Sequence, residues 1–356
     1  MKYQQKISFL AFLFPLLVQA QHTNHQMITS KQKMVHSSMM MGPEDCDEMM
    51  VWDKTSTSCI ALPMASMPMG MWMVHGNGFL VQSIQEGRRS RNRLSSPNMI
   101  MGEVGHSYGN NYFNVNLMLT GEKWTLPNDG YPELLQIGER NADDQPYIDA
   151  QHPHSSPFMG LTFSDTIRIG EGKDYLKVFV APRGQATEGP VAFMHRPTGM
   201  VNPDAPLGHH IGQDVSHITS TVVGASLSLN RTQFEISGFN GTEPEPSKVD
   251  LPIGKINSYG TRFTYEFSDS FYAMVSAAEA RDTEPLDPTL EKVWRYSASI
   301  YNKSEIGEDF LLHNAFIYGH VNNYDHFSVL RSVLEEFWIH QKDKPHQYWG
   351  RAMSQV

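Results

Sequence analysis

From about residue 71 onward, apolar and polar side chains alternate at every second position, and the pattern keeps returning between clusters of Gly, Pro, Asn and Asp. Phe113, Val115, Leu117 and Leu119 alternate with Asn114, Asn116 and Met118. Leu176, Val178 and Val180 alternate with Lys177, Phe179 and Ala181, and Phe263, Tyr265 and Phe267 with Arg262, Thr264 and Glu266. Trp294, Tyr296, Ala298 and Ile300 alternate with Arg295, Ser297 and Ser299, while Leu330, Leu334 and Trp338 read as one face opposite Arg331 and Glu335. Successive side chains of a β-strand point to opposite sides, so a period of two repeated this often predicts an all-β, antiparallel fold. Strands are expected near 71–84, 97–107, 111–121, 157–169, 174–184, 216–229, 231–240, 257–267, 270–281, 293–303, 309–321 and 326–341, with a partial one at 346–352.

The connections sharpen this. Short turns such as Asn230-Arg231 and Ser268-Asp269-Ser270 contrast with long loops at 122–156, 185–215 and 241–256. Short turns at one end and long loops at the other are the habit of outer-membrane β-barrels, as is an apolar face ending in aromatics such as Trp294, Tyr301, Tyr318 and Trp338. The reading is an outer-membrane-type β-barrel of about 12 or more strands. The opposing faces carry Lys177, Arg183, Glu235, Arg262, Glu266, Arg295, Arg331 and Glu335, which a barrel would turn into its lumen. A soluble periplasmic sandwich or solenoid, which would turn them outward, is the alternative.

The start of the chain fits export. Lys2 and Lys6 flank an apolar run from Ile7 to Val18, and Val18-Gln19-Ala20 resembles a cleavage site, so residues 1–20 read as a secretory signal peptide. The run is too short for a bilayer and contains Pro15. An exported chain with a barrel belongs in the bacterial outer membrane, with its lipid as partner; the periplasm is the alternative location. Charged residues are 19% and aromatics 11% of the 356 residues, which excludes wholesale disorder. A net charge of −10 argues against a nucleic-acid partner, because phosphate contacts need a basic face.

Residues 21–70 lack periodicity and are rich in Met, His, Ser and Lys, which predicts a flexible tail before a barrel at 71–356. Cys46 and Cys59 are the two cysteines of the chain, and in an oxidising compartment they read most simply as a disulfide clip. Two thiolate ligands are the alternative.

One stretch is distinctive: Gly189-Pro190-Val191-Ala192-Phe193-Met194-His195-Arg196-Pro197, followed by Asn202-Pro203-Asp204-Ala205-Pro206-Leu207-Gly208-His209-His210-Ile211-Gly212-Gln213-Asp214-Val215-Ser216-His217-Ile218. It resembles an uncharacterised family of exported bacterial proteins generally taken to be outer-membrane β-barrels. Leu119-Thr120-Gly121-Glu122, the segment from Gly130 to Glu139, Asp149-Ala150-Gln151-His152-Pro153-His154 and Phe239-Asn240-Gly241-Thr242-Glu243-Pro244 fit the same family. The resemblance spans roughly residues 70–352 and implies the barrel architecture; it carries no activity. It also implies strands beyond Tyr348-Trp349-Gly350-Arg351-Ala352, whereas this chain ends at Val356, so a C-terminally truncated barrel is left open.

Three chemistries are candidates. The first is copper. Met64, Met67, Met69, Met71 and Met73, with His75, end a methionine-rich stretch, and Met67 to Met73 recur every second residue, so an extended chain presents them on one side. Thioether is a soft ligand suited to Cu(I), and imidazole suits Cu(II) or zinc. The competing view is that Met is an adaptable apolar filler, although a polar, Ser-rich tail has little core to fill. The second is a metal site on the long loops, from His152 and His154 in one group and His195, His209, His210, Asp214 and His217 in another. A hydrogen-bonded loop plug is the favoured reading of those residues, because no two of the His have the i, i+4 spacing of a familiar metal motif. The third is hydrolysis, from Asp149 with His154 or from Asp214, Ser216 and His217, although no nucleophile-elbow, phosphate-loop or dinucleotide motif is present. The expected function is therefore an outer-membrane barrel that handles copper through its tail and loops. A passive or structural barrel with no metal role, and an outer-membrane hydrolase, are the alternatives. Catalysis is the least expected, and copper is the one cofactor implied.

Overall fold

The computed structural model describes residues 10–12, 50–53, 58–61, 70–84, 92–127, 129–132, 150–151, 156–170, 172–202, 218–243, 249, 253–283, 291–324, 327–341 and 347–355. Thirteen strands form one antiparallel sheet in which every strand bonds to the next in the chain. They are β1 (Gly70–Gly78), β2 (Asn98–Tyr108), β3 (Asn111–Leu119), β4 (Phe158–Arg168), β5 (Tyr175–Gly184), β6 (Thr219–Leu229), β7 (Thr232–Asn240), β8 (Ser258–Ser268), β9 (Phe271–Arg281), β10 (Lys292–Ile306), β11 (Phe310–Tyr324), β12 (Phe327–Gln341) and β13 (Gln347–Gln355). Apart from the one expected at 71–84, the strands expected from the alternation match these within a few residues. Among the described residues no helix is long and apolar enough to cross a membrane.

Up to β8 the connections alternate with direction. The turns after β2, β4, β6, β8 and β10 are short, and Gly109, Gly170, Asn230 and Gly307 in them take left-handed φ of 56°, 69°, 52° and 63°. Gly and Asn tolerate that conformation at least cost, so the turn residues fix the hairpin registers. The opposite end carries the long connections, at 79–97, 120–157, 185–218 and 241–257.

The sheet curls into a barrel wall. Segment 185–202, between β5 and β6, folds against the inner face. Its Arg196 bonds Glu336 of β12 at 2.6 and 2.9 Å, while the Met200 carbonyl accepts from Asn77 of β1 at 3.0 Å. Laid flat, strands spaced roughly 4.8 Å apart would separate β1 from β12 by about 50 Å. A segment that reaches both within four residues requires a wall that turns through most of a circle.

Burial is inverted relative to a soluble sandwich. Val104, Phe234, Ile236, Val275, Ile300 and Phe316 face outward and are exposed, Val104 by 63%. The inward positions around the wall are buried and many are polar, among them Ser164, Thr166, Arg183, Gln233, Glu235, Ser237, Arg262, Thr264, Arg295 and Ser297. This is the apolar-out, polar-in wall of an outer-membrane-type barrel.

Three expectations need correction. Tyr301, expected at the end of a lipid-facing apolar face, is buried in the lumen. The strand expected at 71–84 is two: β1 stops at Gly78, the Phe79 N–H donates to the Pro97 carbonyl, and Leu80–Ser83 pairs instead with Arg93–Ser95 and with Leu10–Phe12. The face of β12 is also reversed. Leu334 and Trp338 point into the lumen and are buried, whereas Arg331 and Glu335 are exposed on the outer face. The cause is Glu336, which must face inward to meet Arg196, and the period of two then places Glu335 outside.

Candidate functional site

The lumen and segment 185–202 form one bonded unit, hereafter the plug. Its backbone is satisfied by inward side chains of the wall. The Thr187 N–H donates to Ser237 Oγ at 2.9 Å, Gly189 N–H to Ser276 Oγ at 2.8 Å, and Val191 N–H to Tyr301 Oη at 3.0 Å. Arg262 donates to the Pro190 carbonyl at 3.3 Å, and Arg196 to the Val191 carbonyl at 2.9 Å. Gly260 permits the close approach of β8, since a Cβ there would lie 3.1 Å from the Thr187 carbonyl oxygen.

Among the described residues, three buried ion pairs lock the assembly. Arg262 pairs with Glu235 within the wall at 2.7 Å. Arg295 pairs with Glu188 of the plug at 2.8 Å. Arg196 of the plug makes a two-pronged contact with Glu336, which also accepts from the Thr198 hydroxyl at 3.0 Å. Arg196 and Glu336 are 1% and 0% exposed, so each charge is held by its partner and not by water.

Among the described residues, three apolar clusters pack around the plug. Val191 packs with Met274, Tyr301, Ala315, Ile317 and Leu334. Ala186 packs with Ala181, Val222, Phe239 and Ala280. The third joins Met194 and Ala192 of the plug to Met99 and Met101 of β2, Met118 of β3, Met159 of β4 and Ile218. A cavity of about 40 Å³ beside it is bounded by Met99, Met159, Met194, Met200, Asn77 and Asn202, among others.

The structure distributes the sequence-derived site residues unevenly. Met71 and Met73 lie in β1, opposite Gly105 and Glu103, so they belong to the wall and not to a tail. His75 lies opposite Met101 on the same inward face, and its Nδ1 is buried without a hydrogen-bond partner. His195 sits half-buried in the plug, its N–H donating to the Ala192 carbonyl at 2.9 Å. Met64, Met67, Met69, His152, His154, His209, His210, Asp214, His217 and Cys46 lie outside the described residues, as do most of residues 1–69. Cys59 lies in Ser58–Ala61, opposite Trp52 of Met50–Asp53. Among the described residues no three His, Cys, Asp or Glu side chains gather as a metal site.

Sequence reasoning missed the lumen methionine cluster. Its signal was partly present: Met99 and Met101 share a face, and the β2–β3 hairpin sets Met101 opposite Met118. Nothing local announced that Met159 and Met194 join them. A second inward group went unnoticed too, where His313, Trp338 and His340 stack with ring centroids 4.1 to 5.5 Å apart.

No family model matches the chain, and no curated protein matches it. Among solved structures it is similar to one titled OmpT (in-vitro folded), an outer membrane protein of Vibrio cholerae in its trimer form, at 7% identity and a TM-score of 0.34, over 81% of this chain and 88% of that one.

Proposed function

We propose that the protein is an outer-membrane barrel, closed at rest by its own plug, that handles a soft metal ion such as Cu(I). The observation that carries the reading is the inverted burial: exposed Val, Ile and Phe side chains girdle a lumen holding three buried Arg–Glu pairs. An apolar girdle of this kind is stable against lipid and unfavourable against water. The plug argues against a wide passive pore, since its backbone is tied to wall strands around the lumen. The metal part rests on the methionine supply, in the stretch before β1 and in the lumen, and on the match between thioether and Cu(I).

Two measurements test it. The protein should fractionate with outer membranes and migrate faster on a gel before boiling than after; recovery in the soluble periplasmic fraction would refute the location. A strain lacking the gene should change its tolerance to copper or silver and keep its tolerance to zinc. Unchanged copper and silver tolerance would remove the metal role and leave the barrel.

A further inference from the structure

We infer that Met99, Met101, Met118, Met159 and Met194, with His75 at their edge, form a thioether site for a soft monovalent metal ion, Cu(I) or its analogue Ag(I), between wall and plug. The inference deepens the soft-metal reading above and rests on it.

The first argument is convergence. Five buried methionines arrive from three strands and the plug, with exposures of 3% to 7%. Strand register alone aligns part of the set: His75 lies opposite Met101, and Met101 opposite Met118, on one inward row across β1, β2 and β3. Methionine also fills cores as an adaptable hydrophobe. Among the described residues, however, the lumen packs its other two clusters with Val, Ile, Leu, Phe, Tyr and Ala, and Met274 is the single methionine among their buried residues. The concentration of sulfur in one cluster is therefore not explained by a general need for filler.

The second argument is the surroundings. The adjoining cavity of about 40 Å³ is bounded by Met99, Met159 and Met194, and it exceeds the roughly 10–15 Å³ that one water needs on the same measure. His75 Nδ1 supplies a buried nitrogen with no hydrogen-bond partner. Neutral thioethers do not offset a cation's charge in a poorly solvated site, so a carboxylate nearby is required. Two carboxylates are close: Glu122 bounds the cavity, and Glu103 lies two residues beyond Met101 on the same face of β2, half-buried, and accepts from Asn116 at 2.8 Å. A set of sulfur with one imidazole selects Cu(I) and Ag(I) over Mg²⁺, Ca²⁺ and Mn²⁺, which prefer oxygen.

The test titrates Cu(I), against a competing Cu(I) chelator, into the full chain folded in detergent. Wild type is compared with a lumen variant (Met99→Leu, Met118→Leu, Met159→Leu) and a tail variant (Met64→Leu, Met67→Leu, Met69→Leu). The tightest equivalent should weaken at least about tenfold in the lumen variant, which removes three of the soft ligands, and stay unchanged in the tail variant. Loss in the tail variant with retention in the lumen variant would overturn the site and leave the soft-metal reading standing. No binding by wild type would overturn both. Should the lumen variant fail to fold, methionine-methyl carbon-13 spectra of the tail variant decide: the first equivalent of Ag(I) should shift the methyl signals assigned to Met99, Met118 and Met159, and a shift confined to other methionines, or no shift, would overturn the site.

Discussion

Arg196 and Glu336 show what a single pair of residues does here. Both are buried, and each leaves the other an uncompensated charge if removed. Arg196→Met should therefore destabilise the folded barrel by about 3–5 kcal/mol, read as a lower temperature at which the folded gel band disappears. Adding Glu336→Leu to that variant should restore most of the loss, because an apolar pair replaces the ionic one; a double variant as unstable as the single would contradict the pairing. Gly260→Val should cost about 1–3 kcal/mol by pressing a side chain against the Thr187 carbonyl, measured the same way. At this scale the sequence was half legible. The alternation marked Arg183, Glu235, Arg262 and Arg295 as one class of position, and all four are buried inside. It could not mark Glu336 over Glu335, since both sit in an apolar strand and only a partner from the distant plug decides between them.

Elements were read more faithfully than residues, because local physics sets them. Left-handed glycines and an asparagine end the strands at short turns, and the side-chain period gives their length. The plug is where such reading stopped. Segment 185–202 has two Gly, two Pro and no period, so a hydrogen-bonded loop plug was one of two open readings; the side chains that satisfy it come from β7 to β12, far along the chain. Deleting residues 186–200, with Glu336→Gln and Arg295→Gln to remove the charges this would strand, should leave a folded wall but raise the ion conductance of the reconstituted protein well above the wild-type level in planar bilayers. Equal conductance in the two proteins would mean that the plug is not what closes the lumen.

At the scale of the whole molecule, the fold is a wall with two solvents, lipid expected outside and a polar interior within. Ile236 is 51% exposed at the centre of β7, and Ile236→Arg there should cost about 2–4 kcal/mol in bilayers, seen as a lower urea midpoint. Glu335→Leu, on the same outer surface, should raise that midpoint, because it removes an exposed carboxylate from the girdle. The most direct measurement is nitroxide scanning of β7 in liposomes, placing spin labels one at a time at Phe234, Glu235, Ile236 and Ser237 after Cys46→Ser and Cys59→Ser. Labels at 234 and 236 should be reached by oxygen and shielded from a water-soluble nickel chelate, while those at 235 and 237 should be immobile and shielded from both. Free access of the chelate to 234 and 236 would show water where lipid is required.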